Sequence, residues 1–78
     1  MNVSVVSPEE VLFEGESSQV ITRTTEGEVA FLKDHAPFLG TLVEGETRVY
    51  LPDGNILRFQ LGGGFVEVSH DAVTILAS

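Results

Sequence analysis

The sequence predicts an all-β fold, on three observations. No stretch of about ten or more residues keeps apolar side chains at the i, i+3, i+4, i+7 spacing of a buried helix face. Two-residue alternation recurs instead, in runs rich in β-branched and aromatic residues, which suit a pleated, half-buried surface. Turn-forming residues punctuate the chain at roughly 8–12-residue spacing, the signature of a sandwich or barrel.

About nine short strands follow, roughly 2–6, 10–14, 17–24, 28–32, 38–43, 46–51, 56–61, 64–68 and 72–77. The first ends at the turn Ser7-Pro8-Glu9 and the second at Glu14-Gly15-Glu16. In the third, Val20, Thr22 and Thr24 project one way and Gln19, Ile21 and Arg23 the other. Glu26-Gly27 turns the chain into the fourth, Val29-Ala30-Phe31-Leu32, which is the longest uninterrupted apolar run. A short polar loop with His35 follows, and Pro37 breaks regular pairing before the fifth strand. Val43-Glu44-Gly45-Glu46 turns into the sixth, where Thr47, Val49 and Leu51 oppose Arg48 and Tyr50. Leu51-Pro52-Asp53-Gly54 is the clearest hairpin signal, with Pro at a φ near −65° and Gly at a positive φ. In the seventh, Leu57, Phe59 and Leu61 oppose Ile56, Arg58 and Gln60. The glycine run leads into the eighth. Ser69-His70-Asp71 turns into the ninth, where Val73, Ile75 and Ala77 oppose Thr74 and Leu76.

The 78 residues are read as one domain, 1–78, and composition is globular, with 42% hydrophobic and 21% charged residues. A chain this short buries a modest share of its surface, so a partner surface is expected to help stabilise it. With no cysteine, disulfides and thiolate metal sites are excluded. Twelve acidic residues stand against Arg23, Lys33, Arg48 and Arg58, a formal net charge of −8. Phosphate backbones and anionic lipids would repel such a chain, so neither nucleic-acid binding nor direct membrane insertion is expected. Met1-Asn2-Val3-Ser4-Val5 has neither the basic nor the apolar region of a signal peptide. The expectation is a soluble, cytosolic protein.

Chemistry-bearing residues are sparse. His35 and His70 each adjoin an aspartate, Asp34 and Asp71, but neighbouring side chains on an extended segment point to opposite faces. Neither pair is a ready-made dyad. Ser17, Ser18 or Ser69 could complete a triad only in space, and no G-x-S-x-G elbow is present. No spacing of His and carboxylates suggests a metal. Gly62-Gly63-Gly64 precedes the strand Phe65-Val66-Glu67-Val68 with no lysine nearby, so a bulge, a sharp bend or a close backbone approach fits better than a phosphate loop. No catalytic, cofactor-binding or metal-binding residue is therefore expected. The segment from Thr25 to Leu39 forms a strand-loop-strand corner with a polar tip. It reads equally as an ordinary structural corner or as a contact surface.

Several of these blocks resemble a known family. Glu26-Gly27-Glu28-Val29-Ala30-Phe31-Leu32 followed by His35-Ala36-Pro37-Phe38-Leu39 resembles the E-G-E-L-G-I…P-G-H-A-P-L-L signature of the epsilon subunits of F-type ATP synthases. Val5-Val6-Ser7-Pro8-Glu9 resembles the family's V-V-S-P-E opening, and Phe13-Glu14-Gly15 its F-S-G. Gly63-Gly64-Phe65-Val66-Glu67-Val68 with Val73-Thr74-Ile75-Leu76-Ala77 resembles its closing G-G-F-x-E-V…V-T-V-L-A. Family order and spacing hold across essentially the whole chain.

The resemblance implies a flattened sandwich of about ten strands in two five-stranded sheets. It also implies a non-catalytic rotor subunit at the foot of the central stalk, coupling ion-driven c-ring rotation through the gamma subunit to ATP synthesis. One side would pack on gamma and one end on the polar loops of the c-ring, at the cytoplasmic side of a bacterial inner membrane. Carried residue by residue, the ring-facing end would comprise Glu28, Lys33, Asp34, His35, Ala36, Pro37 and Phe38, and the strand map places them together. No residue is assigned to gamma. Lys33-Asp34 departs from the usual Pro-Gly, which puts the loop conformation in question. Family members normally continue into two C-terminal helices with inhibitory and, in some bacteria, ATP-binding roles, and neither role attaches to these residues. Two other classes compete, a free-standing β-sandwich module for a peptide or sugar and a small hydrolase. Either needs a concave site with convergent polar groups, whereas a rotor subunit needs a large exposed apolar patch.

Overall fold

A computed structural model describes residues 1–78. Nine strands follow one another: β1 Asn2–Val6, β2 Val11–Glu16, β3 Gln19–Thr24, β4 Gly27–Leu32, β5 Phe38–Leu42, β6 Gly45–Tyr50, β7 Ile56–Leu61, β8 Gly64–Ser69 and β9 Ala72–Ala77. Each expected strand is present, with its bounds within two residues of the pattern. One turn signal misleads. Gly15 lies inside β2, opposite Val3, and the Phe13 ring covers it so that an added Cβ would sit 3.3 Å from Cζ. The chain turns instead at Ser17-Ser18, where the Ser17 hydroxyl donates to the Tyr50 and Gln19 carbonyls at 2.8 and 2.9 Å.

The strands hydrogen-bond in the order β2-β1-β9-β8-β5-β3-β6-β7, with β4 on the other edge of β3. β1 and β9 are parallel, and every other pair is antiparallel. The two layers of the expected sandwich are thus joined in one nine-stranded sheet, with five strands in one layer and four in the other. β3 pairs with β6 over Gln19–Ile21 and then meets β5 through Thr24 and Leu42 alone. Leaving β6 frees that edge, and the sheet folds there into layers β2-β1-β9-β8-β5 and β4-β3-β6-β7. Thr25 N–H donates to Thr41 O at 3.0 Å and Val43 N–H to Arg23 O at 3.1 Å across this fold line.

Period-two alternation fills the space between the layers. Val3, Val5, Val20, Phe31, Val49, Val66 and Ile75 are completely buried there. Burying a side chain such as Phe31 contributes about 1.5–3 kcal/mol. Thr22 and Thr47 share this interior, their hydroxyls 2.7 Å apart.

Connections gather at two ends. Ser17-Ser18, Lys33–Pro37, Leu51–Asn55 and His70-Asp71 form the corner end, linked by Ser17 N–H to Met1 O, Ser18 N–H to Tyr50 O and Asn2 N–H to Asp71 O. Ser7–Glu10, Thr25-Glu26, Val43-Glu44 and Gly62-Gly63 form the opposite end, where Ser78 N–H donates to Gly63 O. The Pro52-Asp53-Gly54 hairpin is as expected. Gly54 has φ 94°, its N–H donates to Leu51 O at 3.0 Å, and Asn55 N–H donates to Asp53 Oδ1 at 2.9 Å.

Candidate interaction site

At the corner, Asp34 stands in the left-handed region at φ 65°, a conformation glycine adopts freely and aspartate tolerates. Lys33-Asp34 thus bends the chain at the positions where the resembling signature has Pro-Gly. His35 N–H then donates to Leu32 O at 3.1 Å and closes the loop. The imidazole turns inward. It lies edge-on to Phe31 with centroids 4.9 Å apart at 79°, and edge-on to Phe38 at 6.4 Å. Phe31 and Phe38 are themselves 5.3 Å apart, so the three rings tie β4 in one layer to β5 in the other. Nδ1 lies 2.7 Å from Ala36 O, and since a carbonyl only accepts, Nδ1 carries the hydrogen. Lys33, Ala36 and Pro37 are exposed around this packed centre.

Asp34, His35, Ala36 and Pro37 line a shallow depression together with Ser69, His70 and Asp71. Both Asp-His pairs thus meet in space, which strand-local reasoning could not show. His70 also has a left-handed backbone, φ 53°, in the two-residue turn between β8 and β9. No hydrogen bond or ion pair joins either imidazole to a carboxylate, so the geometry makes no dyad.

Glu28 is elsewhere. It is the second residue of β4, paired in register with Arg23, whereas Lys33 follows the strand's last residue. Five residues at about 3.3 Å each separate them by roughly 16 Å. Glu28 and the corner, expected together, occupy opposite ends of the sandwich. Its carboxylate meets Arg48 Nη2 at 3.3 Å. Arg48 stands directly opposite Arg58, and Glu46 lies between them, 3.6 Å from Arg48 Nε and 3.0 Å from Arg58 Nη1. Arg48 is half-buried while Glu28, Glu46 and Arg58 are exposed, so these pairs contribute little to stability, about 0–1 kcal/mol each. Around Glu28 the same end carries Glu9, Glu10, Glu26 and Glu44, all exposed and none of them ion-paired.

Sequence reasoning missed one surface. Val11, Leu39, Phe65 and Leu76 are 58%, 74%, 57% and 49% exposed, and all lie on the outer face of the five-stranded layer. Leu76 opposed Val73, Ile75 and Ala77 in an alternating run, but Val11, Leu39 and Phe65 stand beside apolar neighbours in sequence, and the adjacency of the four depends on long-range strand pairing.

The chain is thus a two-layer β-sandwich with charged loop ends and an exposed apolar sheet face. Residues 1–78 match the family model for the β-sandwich domain of the ATP synthase delta/epsilon chain, and the chain belongs to that family. It is 46% identical over 78 residues to an ATP synthase epsilon chain of Corynebacterium efficiens, covering 99% of this chain and 63% of that protein. It is 38% identical over 77 residues to the epsilon chain of Frankia casuarinae, covering 99% of this chain and 91% of that one. A chain in the Euglena gracilis mitochondrial ATP synthase structure, which comprises OSCP, F1 and c-ring, superposes with a TM-score of 0.90 at 25% identity. That match covers 96% of this chain and 48% of the Euglena chain.

Proposed function

We propose that this chain acts as the epsilon-type subunit of an F-type ATP synthase: a non-catalytic part of the central stalk that helps transmit ion-driven c-ring rotation, through gamma, to ATP synthesis. The observation that carries this is the family match over all of residues 1–78, supported by the fold shared with a chain of the Euglena F1/c-ring assembly. Residues 1–78 act as one folding unit, since both layers contribute to a common core. The chain is held at the cytoplasmic face of the membrane by its partners, without inserting. Family membership displaces the free-standing peptide- or sugar-binding module.

One end alone can face the ring. Glu28 and its neighbours Glu9, Glu10, Glu26 and Glu44 supply exposed carboxylates that favour a cationic surface and speed docking on it. At the corner, by contrast, His35 and Phe38 pack on Phe31. With Glu28 on the ring, Lys33, Asp34, His35, Ala36, Pro37 and Phe38 lie at the opposite end of the sandwich and face away from it. The test is to tag the chain in its source cells, solubilise the membranes gently and identify what co-purifies. Stoichiometric ATP synthase subunits support the proposal. Recovery of the chain alone, or with an unrelated partner, contradicts it.

A further inference from the structure

Asp53 is the only aspartate or asparagine of the chain that is followed by glycine. Asn2, Asp34, Asn55 and Asp71 precede Val3, His35, Ile56 and Ala72, whose side chains crowd the backbone nitrogen. Gly54 has none, and nothing lies within 4 Å of where its Cβ would stand. Its φ of 94° calls for glycine in this turn. The same choice leaves an aspartyl-glycyl bond at a loop tip, where residues 52–56 are all exposed.

Such a bond carries its own reactive pair. The Gly54 nitrogen can attack Cγ of the Asp53 side chain in its acid form. A new N–Cγ bond forms and the Cγ–OH bond breaks, and the hydroxyl leaves as water with the amide proton. The product is a cyclic succinimide, to which water adds back. Breaking the original backbone C–N bond then leaves the chain running through Cγ, as an isoaspartyl residue with an extra methylene in the backbone. No oxidant, reductant or cofactor takes part.

The fold restrains both reactants. Gly54 N–H donates to Leu51 O at 3.0 Å, which fixes the amide plane and holds its proton. Asp53 Oδ1 accepts from Asn55 N–H and Oδ2 from Asn55 Nδ2, both at 2.9 Å. Two hydrogen bonds from one residue keep the carboxylate from turning. Leu51 N–H donates to Asn55 O at 2.8 Å and closes the loop, and Tyr50 opposite Ile56 begins the β6–β7 ladder. An extra backbone methylene would lengthen the loop that this bond closes.

We propose that Asp53-Gly54 is the isoaspartyl-forming site of this chain and that Asn55 guards it: the clamp keeps the bond intact in the folded hairpin, and fraying of the loop opens it to reaction. The isoaspartyl product belongs to the substrate class of methyltransferases that move a methyl group from S-adenosylmethionine to its freed α-carboxylate. The inference concerns this loop's own chemistry and does not depend on the stalk proposal.

The test incubates the folded 78-residue chain beside a synthetic peptide spanning Val49–Arg58, at neutral pH and physiological temperature. A hairpin without the rest of its sheet is marginal in water, so the peptide reports the unrestrained loop. Isoaspartate is counted by labelled methyl transfer with a purified isoaspartyl methyltransferase and located by fragmentation mass spectrometry. The expected result is isoaspartate at residue 53 alone, forming at least about tenfold faster in the peptide, because several hydrogen bonds restrain the folded loop. Asn55→Ala should speed the reaction in the folded chain about three- to tenfold, the worth of one lost hydrogen bond, with Tm nearly unchanged. If that variant unfolds the chain, Asn55→Asp, which keeps the shape and lacks the side-chain donor, takes its place. Asp53→Ser cannot form the ring and should abolish the signal. Equal rates in chain and peptide, equal rates in wild type and the Asn55 variants, or isoaspartate centred on Asp34 or Asp71 would overturn the proposal.

Discussion

Thr22 and Thr47 meet hydroxyl to hydroxyl at 2.7 Å between β3 and β6, each 1% exposed. Each hydroxyl is the other's partner, so removing one strands its neighbour. Thr22→Val alone should cost about 1–3 kcal/mol, the desolvation of an orphaned buried hydroxyl. Thr22→Val with Thr47→Val should recover most of that loss, because both polar groups go while shape is kept. Urea unfolding of the two singles and the double closes the cycle. A double variant as unstable as the sum of the singles would contradict the pairing.

His35 is a packing residue of the corner. Its edge-on contact with Phe31 should be worth about 0.5–1.5 kcal/mol beyond simple area burial. His35→Ala should therefore lower Tm by about 4–8 °C per kcal/mol lost, as expected for a domain of this size. In the assembled complex the variant should keep its partners at temperatures where it stays folded. Loss of assembly with an unchanged Tm would assign His35 to an interface instead.

Much of the fold was legible because a sheet with one buried face writes its pleat directly into the sequence. Val73 and Ile75 against Thr74 and Leu76 is such a case, and the observed burial follows it. Gly15 misled because a glycine between two glutamates has turn composition. Only the Phe13 ring lying over it, on a strand opposite Val3, explains it. The site was less legible. Glu28 and Lys33 are close in sequence, yet an extended strand carries them to opposite ends. The exposed apolar side chains run from Val11 to Leu76 in sequence, and their adjacency depends on the parallel pairing of β1 with β9, which no local pattern encodes.

The glycine run divides sharply by position. A Cβ on Gly64 would lie 2.0 Å from the Leu76 carbonyl oxygen, and its φ of 133° is hostile to any side chain. Gly64→Ala should cost about 3 kcal/mol or more, since rigid backbone must move. Gly62 has open space around it, and Gly62→Ala should stay within about 0.5 kcal/mol. Chemical denaturation of both variants checks this, and similar losses at the two positions would contradict it.

Asp34 bends the corner at φ 65°, where a β-branched residue is strongly disfavoured. Asp34→Val should destabilise by about 1–2 kcal/mol, the usual cost of a left-handed backbone. Asp34→Gly should match or slightly exceed wild type. A calorimetric ranking that placed valine above glycine would show that the corner adopts another conformation in solution.

The proposed orientation of the sandwich on the rotor is tested most directly by cross-linking in the complex the proposal implies. The chain contains no cysteine, so Glu26→Cys and Asp34→Cys each place one unique probe site, at the Glu28 end and at the corner. Each is labelled with a photoreactive maleimide, assembled, irradiated and analysed by mass spectrometry for the attached subunit. Adducts with the c-ring subunit from Glu26→Cys and none from Asp34→Cys are the expected result. Ring adducts from Asp34→Cys alone would place the corner on the ring and contradict the account.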